Sequence, residues 1–161
     1  MHSRIFQISK YPIKEEEYAE ACHYCENHTV LGFSDWTSDD SNRTKDIEWL
    51  KKPAEGAFNF KEDGSFIVAD KKKYFGAKYR AFKEQLRQIQ AHLTPEYFSE
   101  NSHSAKRDIS LEMYLLNDAY NETFGFYADF DGCGVITMDE FVRNAEEGET
   151  YYIGGTVDYH Y

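Results

Sequence analysis

The stretch FGFYADFDGCGVITMDEF, Phe124–Phe141, decides whether the chain is built mainly on helices or around a sheet. Its first half alternates, with Phe124, Phe126, Ala128 and Phe130 on one side of an extended chain and Gly125, Tyr127, Asp129 and Asp131 on the other. A period of two belongs to a β-strand, whose successive side chains point to opposite faces. Asp131–Gly134, DGCG, offers the residue types that tolerate the backbone of a tight turn, and Val135–Thr137 is β-prone again. The stretch therefore reads as a strand, a turn and a returning strand.

The same residues resemble the calcium-binding loop of the EF-hand family, which needs oxygen ligands at fixed positions and a glycine at the sixth for a sharp turn. Counted from Asp129, the aspartates Asp129 and Asp131 take the first and third positions and Gly134 the sixth. The Val135 carbonyl, Thr137 and Glu140 follow at the seventh, ninth and twelfth. The resemblance implies calcium held by Asp129, Asp131, Val135, Thr137 and Glu140. Against it, Cys133 stands at the fifth position, where a soft sulfur replaces an oxygen around a hard cation. The alternation also opposes the incoming helix that such a loop requires. A second loop is missing as well, since DWTSDDSNRTKD, Asp35–Asp46, has no glycine in place. The hairpin without a cofactor is the preferred reading, and calcium is the alternative.

Outward from this stretch, the pattern predicts an α+β fold in a single domain over residues 1–161, with a small antiparallel or mixed sheet and several packed helices. Ile5, Phe6 and Ile8 mark an N-terminal strand closed by Pro12, and the segment 13–28 carries Tyr18, Ala21, Cys22 and Cys25 at helical spacing. Polar residues then cap a short helix around KDIEWLKK. Two β-prone runs flank KEDG, Lys61–Gly64, as in a hairpin. Phe75, Tyr79, Phe82, Leu86, Ile89 and Leu93 alternate steps of four and three, so a helix over about 72–93 presents one apolar seam to the core. Thr94-Pro95 starts a short helical turn. Met113, Leu116, Tyr120 and Phe124 line a further helix, and TYYIGGTVDYHY, Thr150–Tyr161, reads as a strand broken at Gly154-Gly155.

The net charge of −11 is unevenly spread. Residues 1–107 balance 17 acidic with 17 basic side chains, whereas residues 108–161 hold 12 acidic residues and only Arg143. Such an asymmetry describes an acidic face that repels nucleic acid and attracts basic protein surfaces. Asp118, Glu122, Asp139, Glu140, Glu146, Glu147 and Glu149 are the residues expected to present that charge to a partner. No apolar run reaches membrane-spanning length, and the N-terminus does not suit a signal peptide, so a cytoplasmic protein with no membrane contact is expected.

Other chemistry leaves little trace. Cys22, Cys25 and His28 stand at C-x2-C-x2-H spacing, with Cys133 a conceivable fourth zinc ligand, but a second ligand pair is missing and helical cysteines are more often small buried hydrophobes. No serine elbow, glycine-rich phosphate loop or H-E-x-x-H pattern accompanies the histidines, and the expectation is a protein that is not an enzyme. KKKYFGAKYRAFK, Lys71–Lys83, interleaves cations and aromatics, yet its aromatics lie on the seam assigned to the core, which argues against direct nucleic-acid binding.

SRIFQIS, DIEWLKK, FGFY followed by DEFV, and the closing YYIG and VDYHY are similar to segments of small uncharacterised acidic proteins of bacterial mobile elements. That resemblance spans most of the chain. It implies an inhibitor of the anti-restriction or anti-defence type, which offers carboxylates in place of phosphates to the nucleic-acid groove of a host defence protein.

Overall fold

The computed structural model describes residues 2–25, 36–99, 109–122 and 124–161. Contacts divide the chain into two compact units, Met1–Tyr74 with Thr123–Tyr161, and Phe75–Glu122. The first is an α+β unit built on a mixed sheet of seven strands among the described residues, and the second is helical.

The sheet unit is organised by its two longest strands, β1 (His2–Ser9) and β7 (Thr150–His160), which run antiparallel with His2 opposite His160 and Ser9 opposite Tyr152. The register shifts between Phe6 and Ile8. The hairpin predicted around KEDG is present as β3 (Phe58–Phe60) and β4 (Phe66–Val68), and β4 adds to β7 at Tyr151. A short strand that the sequence pattern did not disclose, β2 (Trp36–Ser38), lies along the other end of β7. On the far side of β1 runs β5 (Tyr127–Phe130), parallel to it, followed by β6 (Val135–Thr137).

The deciding stretch is a hairpin, with Tyr127 opposite Thr137 and Asp129 opposite Val135. Its turn is closed by the Cys133 N–H donating to the Phe130 carbonyl at 3.0 Å. Asp131 and Gly132 both take positive φ, 51° and 66°, the pairing that suits the right-handed twist of the flanking strands. Gly134 follows at φ 114°, a backbone conformation open to glycine and to few other residues. Thr137 then caps α6 (Met138–Asn144), its hydroxyl accepting from the Glu140 N–H at 3.1 Å. Periodicity alone gave no notice of this helix.

The C-terminal strand is not broken at Gly154-Gly155 as expected; it continues through both. The reason for the glycines is steric. A Cβ on Gly155 would run into the backbone of Ala19, and one on Gly154 into the side chains of Gln7 and Ile13. The segment after β1 crosses directly over the strand, held by Gln7, whose side-chain Oε1 accepts from the Ala19 and Gly155 N–H groups at 2.8 and 2.9 Å. The helix anticipated over 13–28 is confined, among the described residues, to a 3₁₀ turn at Glu15–Glu17 and the single turn α1 (Cys22–Cys25).

One apolar cluster joins Ala21 and Tyr24 to Ile5, Tyr127, Val157 and Tyr159 on one face of the sheet. An aromatic network fills another part of the unit, with Phe58 stacked on Phe66 and on Tyr74, and Phe141 edge-on to Tyr151. Helix α2 (Arg43–Lys51) starts at Asn42, whose side chain accepts from the Lys45 N–H, and buries Asp46, Ile47 and Leu50. Arg43 fastens it to β7 through the carbonyls of Ile153 and Gly154 at 2.7 and 2.8 Å.

The long predicted helix is α3 (Lys71–His92), followed by α4 (Pro95–Ser99) and α5 (Ile109–Tyr120). From Phe75 onward these helices form the second unit. Phe124, expected on the same helix as Tyr120, lies beyond it and stacks on Tyr161 at 4.4 Å.

Candidate functional site

The carboxylates expected to face a partner are distributed between the two units. Asp118 lies on α5 and Glu122 just after it, where Glu122 is ion-paired with Lys78 of α3. Asp139, Glu140, Glu146, Glu147 and Glu149 lie on α6 and in the turn that leads into β7.

Within that second group, Asp139 is a correction. Its residue is 2% exposed, and its Oδ1 accepts from the Tyr74 hydroxyl at 3.1 Å, so it holds the start of α3 to α6 instead of offering charge to a partner. The DEF segment on a helix places Asp139 and Phe141 inward and Glu140 outward, an assignment that needed the helix boundary at Thr137.

Glu140, Glu146, Glu147 and Glu149 are exposed. Glu146 makes an ion pair of 3.2 Å with Lys10 at the end of β1, and this contact, with Glu149 adding to the field, holds the Lys10 ammonium above its usual range. Glu147 accepts from the Lys71 N–H at 2.8 Å, at the first turn of α3, where a carboxylate meets the positive end of the helix dipole. The Glu146 N–H donates to the Tyr151 hydroxyl and the Gly148 N–H to the Val68 carbonyl, at 2.9 Å each, so this acidic turn is anchored at its backbone.

Two residues of the calcium reading, Asp129 and Thr137, have partners in the fold. Asp129 points to the sheet face, where its Oδ2 accepts from the Tyr24 hydroxyl at 3.0 Å, while Thr137 is engaged as a helix cap. The Val135 backbone belongs to β6, and a strand occupies the place of the incoming helix. Among the described residues, no three His, Cys, Asp or Glu side chains stand close enough to hold a metal ion. Cys22 and Cys133 are exposed free thiols, and His28 of the zinc reading lies outside the described residues.

One buried polar cluster was not read from the sequence at all. On one face of the sheet Arg4 donates through Nε to Asp46 at 2.7 Å and through Nη1 to Asp158. Asp46 also accepts from the Thr156 hydroxyl at 2.8 Å, and Asp158 from His2 Nδ1 at 2.8 Å. Asp46 and Asp158 are 3% and 5% exposed. The Arg4 guanidinium lies 5.3 Å from the Trp49 ring, and Trp36 stacks on His160 at the end of the same strands. Buried carboxylates require such partners, because an unpaired charge cannot be taken out of water cheaply. Arg4 and Asp158 are 154 positions apart in sequence and pair only because β1 and β7 are neighbours.

Met1–Tyr74 with Thr123–Tyr161 carries 22 acidic residues against 12 basic ones, whereas Phe75–Glu122 carries seven against six. Among the described residues, no helix is long and apolar enough to cross a membrane. Comparison with protein-family models, with curated proteins and with solved structures finds no match to this chain.

Proposed function

We propose that this chain is a non-enzymatic interaction protein whose acidic sheet unit binds a basic, nucleic-acid-handling surface of another protein. The observation that carries this reading is the 22-to-12 excess of acidic over basic residues in that unit, with Glu140, Glu146, Glu147 and Glu149 exposed on α6 and the turn into β7. A surface of one sign steers an oppositely charged partner and discriminates against nucleic acid itself. The resemblance to small acidic proteins of mobile elements favours a host defence protein as that partner, with carboxylates standing in for phosphates.

The test is capture of a partner from bacterial lysate on the immobilised chain, at low and high salt and with duplex DNA as competitor. Beside it runs the variant Glu140→Lys, Glu146→Lys, Glu149→Lys. The proposal expects a partner that high salt releases, that DNA displaces and that the variant does not hold. Capture of no partner, or of one indifferent to salt, to DNA and to the charge reversal, overturns it.

A further inference from the structure

The helical unit is a hairpin that leaves apolar side chains uncovered. Helices α3 and α5 run antiparallel. Phe82 of α3 meets Tyr120 at the end of α5 with ring centroids 5.9 Å apart, and Lys78 pairs with Glu122. At the other end the Tyr97 hydroxyl of α4 donates to the Glu112 carboxylate at the start of α5, at 3.5 Å. Two helices bury one side of each other and cannot enclose a core, so the rest of a wide apolar seam needs another layer.

The seam of α3 is split accordingly. Ile89 is buried and Phe75 and Phe82 are half-buried, whereas Tyr79, Leu86 and Leu93 repeat every seven residues on the adjoining side and are 61%, 37% and 48% exposed. On α5 the pattern is inverted relative to an ordinary surface helix: Glu112 is buried while Leu111, Tyr114 and Leu115 are 53%, 51% and 43% exposed. Each helix thus carries an outward apolar stripe, and the borders of the two stripes differ in charge. Arg80 and Lys83 border the stripe of α3, with the Lys83 ammonium 5.9 Å from the Tyr79 ring, while Arg87 is ion-paired with Glu84 of the same helix. On α5, Glu112 is buried against Tyr97, so the carboxylate left beside the outward stripe is half-buried Asp118, and the helix contains neither lysine nor arginine.

We infer that the occupant of these stripes is a second copy of this chain, with α3 of one hairpin lying against α5 of its partner in a two-fold, four-helix arrangement. Two-fold symmetry uses the same pair of surfaces twice, so Arg80 and Lys83 of each α3 meet Asp118 of the facing α5 and both stripes are covered by one operation. A pairing of α3 with α3 would set the basic borders against each other and leave α5 exposed. The seven-residue spacing of Tyr79, Leu86 and Leu93 is the repeat that keeps one seam facing a neighbouring helix.

Sedimentation of the full chain across the micromolar range tests this, with far-UV circular dichroism as the check on folding. The expected result is a dimer whose dissociation constant rises by about tenfold or more in Leu86→Glu and in Leu111→Glu, with helix content unchanged. Asp118→Lys alone and Arg80→Glu with Lys83→Glu should each weaken the dimer, and combining all three should restore it. That exchange decides the matter even if a leucine variant misfolds. A chain that stays monomeric, or a dimer indifferent to both the leucine and the charge variants, overturns the inference.

Discussion

The two units dispose of their awkward residues in opposite ways. The sheet unit takes charges inward, surrounding Asp46 and Asp158 with Arg4, Thr156 and His2, and leaves glutamates at its surface. The helical unit turns a glutamate inward and leaves leucines and tyrosines outside. The first has a core that is complete in itself, because long strands bring distant partners into register. The second has too few layers to finish one, and its surplus is apolar. A surface of charge and a surface of hydrocarbon serve different kinds of contact, the one suited to a basic partner and the other to self-association.

The largest effect is expected from removing the centre of the buried network. Arg4→Met leaves Asp46 and Asp158 without their shared cation, and urea unfolding should show a loss of about 3–5 kcal/mol. A loss within about 0.5 kcal/mol, the range of ordinary surface changes, would mean that the network is not the interior feature described. Gly155→Ala comes next, since its methyl group meets the Ala19 backbone; about 1–3 kcal/mol should be lost, as in other overpacked sites. Gly134→Ala has open space around the added methyl and only the backbone conformation to resist it, so about 1 kcal/mol is expected.

Alkaline pH probes the other face of the sheet. Burial pushes the Tyr127 phenol up from 10.0 to about 12, and burial together with the Asp129 carboxylate pushes Tyr24 up further. A raised folded-state value means that the stabilisation is intact below pH 10, where both states keep the proton, and is lost as pH rises above it. Stability should fall between pH 10 and 12 by up to about 1.4 kcal/mol per pH unit for each such phenol, and Tyr127→Phe should flatten that slope. Phenolate absorbance of the folded protein, followed through the same range, should show Tyr127 and Tyr24 ionising late.

The smallest effect is expected at the turn Asp131–Gly134. Cys133→Asp would supply the oxygen missing from a calcium loop, but in a hairpin it adds a carboxylate near Asp131. Stability should be unchanged or slightly lower, and calorimetry should detect no calcium uptake. Uptake by this variant would show that the loop can rearrange around a cation.

The hairpin and the long helix were legible because each rests on local periodicity: an alternation over Phe124–Asp131 and steps of three and four over Phe75–Leu93. What local pattern could not disclose is partnership across the chain. The seam of α3 looked uniform in sequence, yet only half of it is covered, because coverage depends on how many helices follow. The acidic count also overstates the charge at the surface. Glu112, Asp139 and Asp158 contribute to the charge of the last third but are buried, and only their tertiary neighbours could reveal that. Gly154-Gly155 looked like a strand break because a strand interior seldom favours glycine, while its cause, the crossing of Ala19, lies far away in sequence.

The division of labour between the units is tested most directly by comparing partner capture at low and high salt for two variants side by side. One carries Glu140→Lys, Glu146→Lys and Glu149→Lys, and the other carries Leu86→Glu and Leu111→Glu. The account predicts that the first loses the salt-sensitive partner and the second retains it. Retention by the charge-reversed variant, with loss by the leucine variant, would place the binding surface on the helical unit and contradict the account.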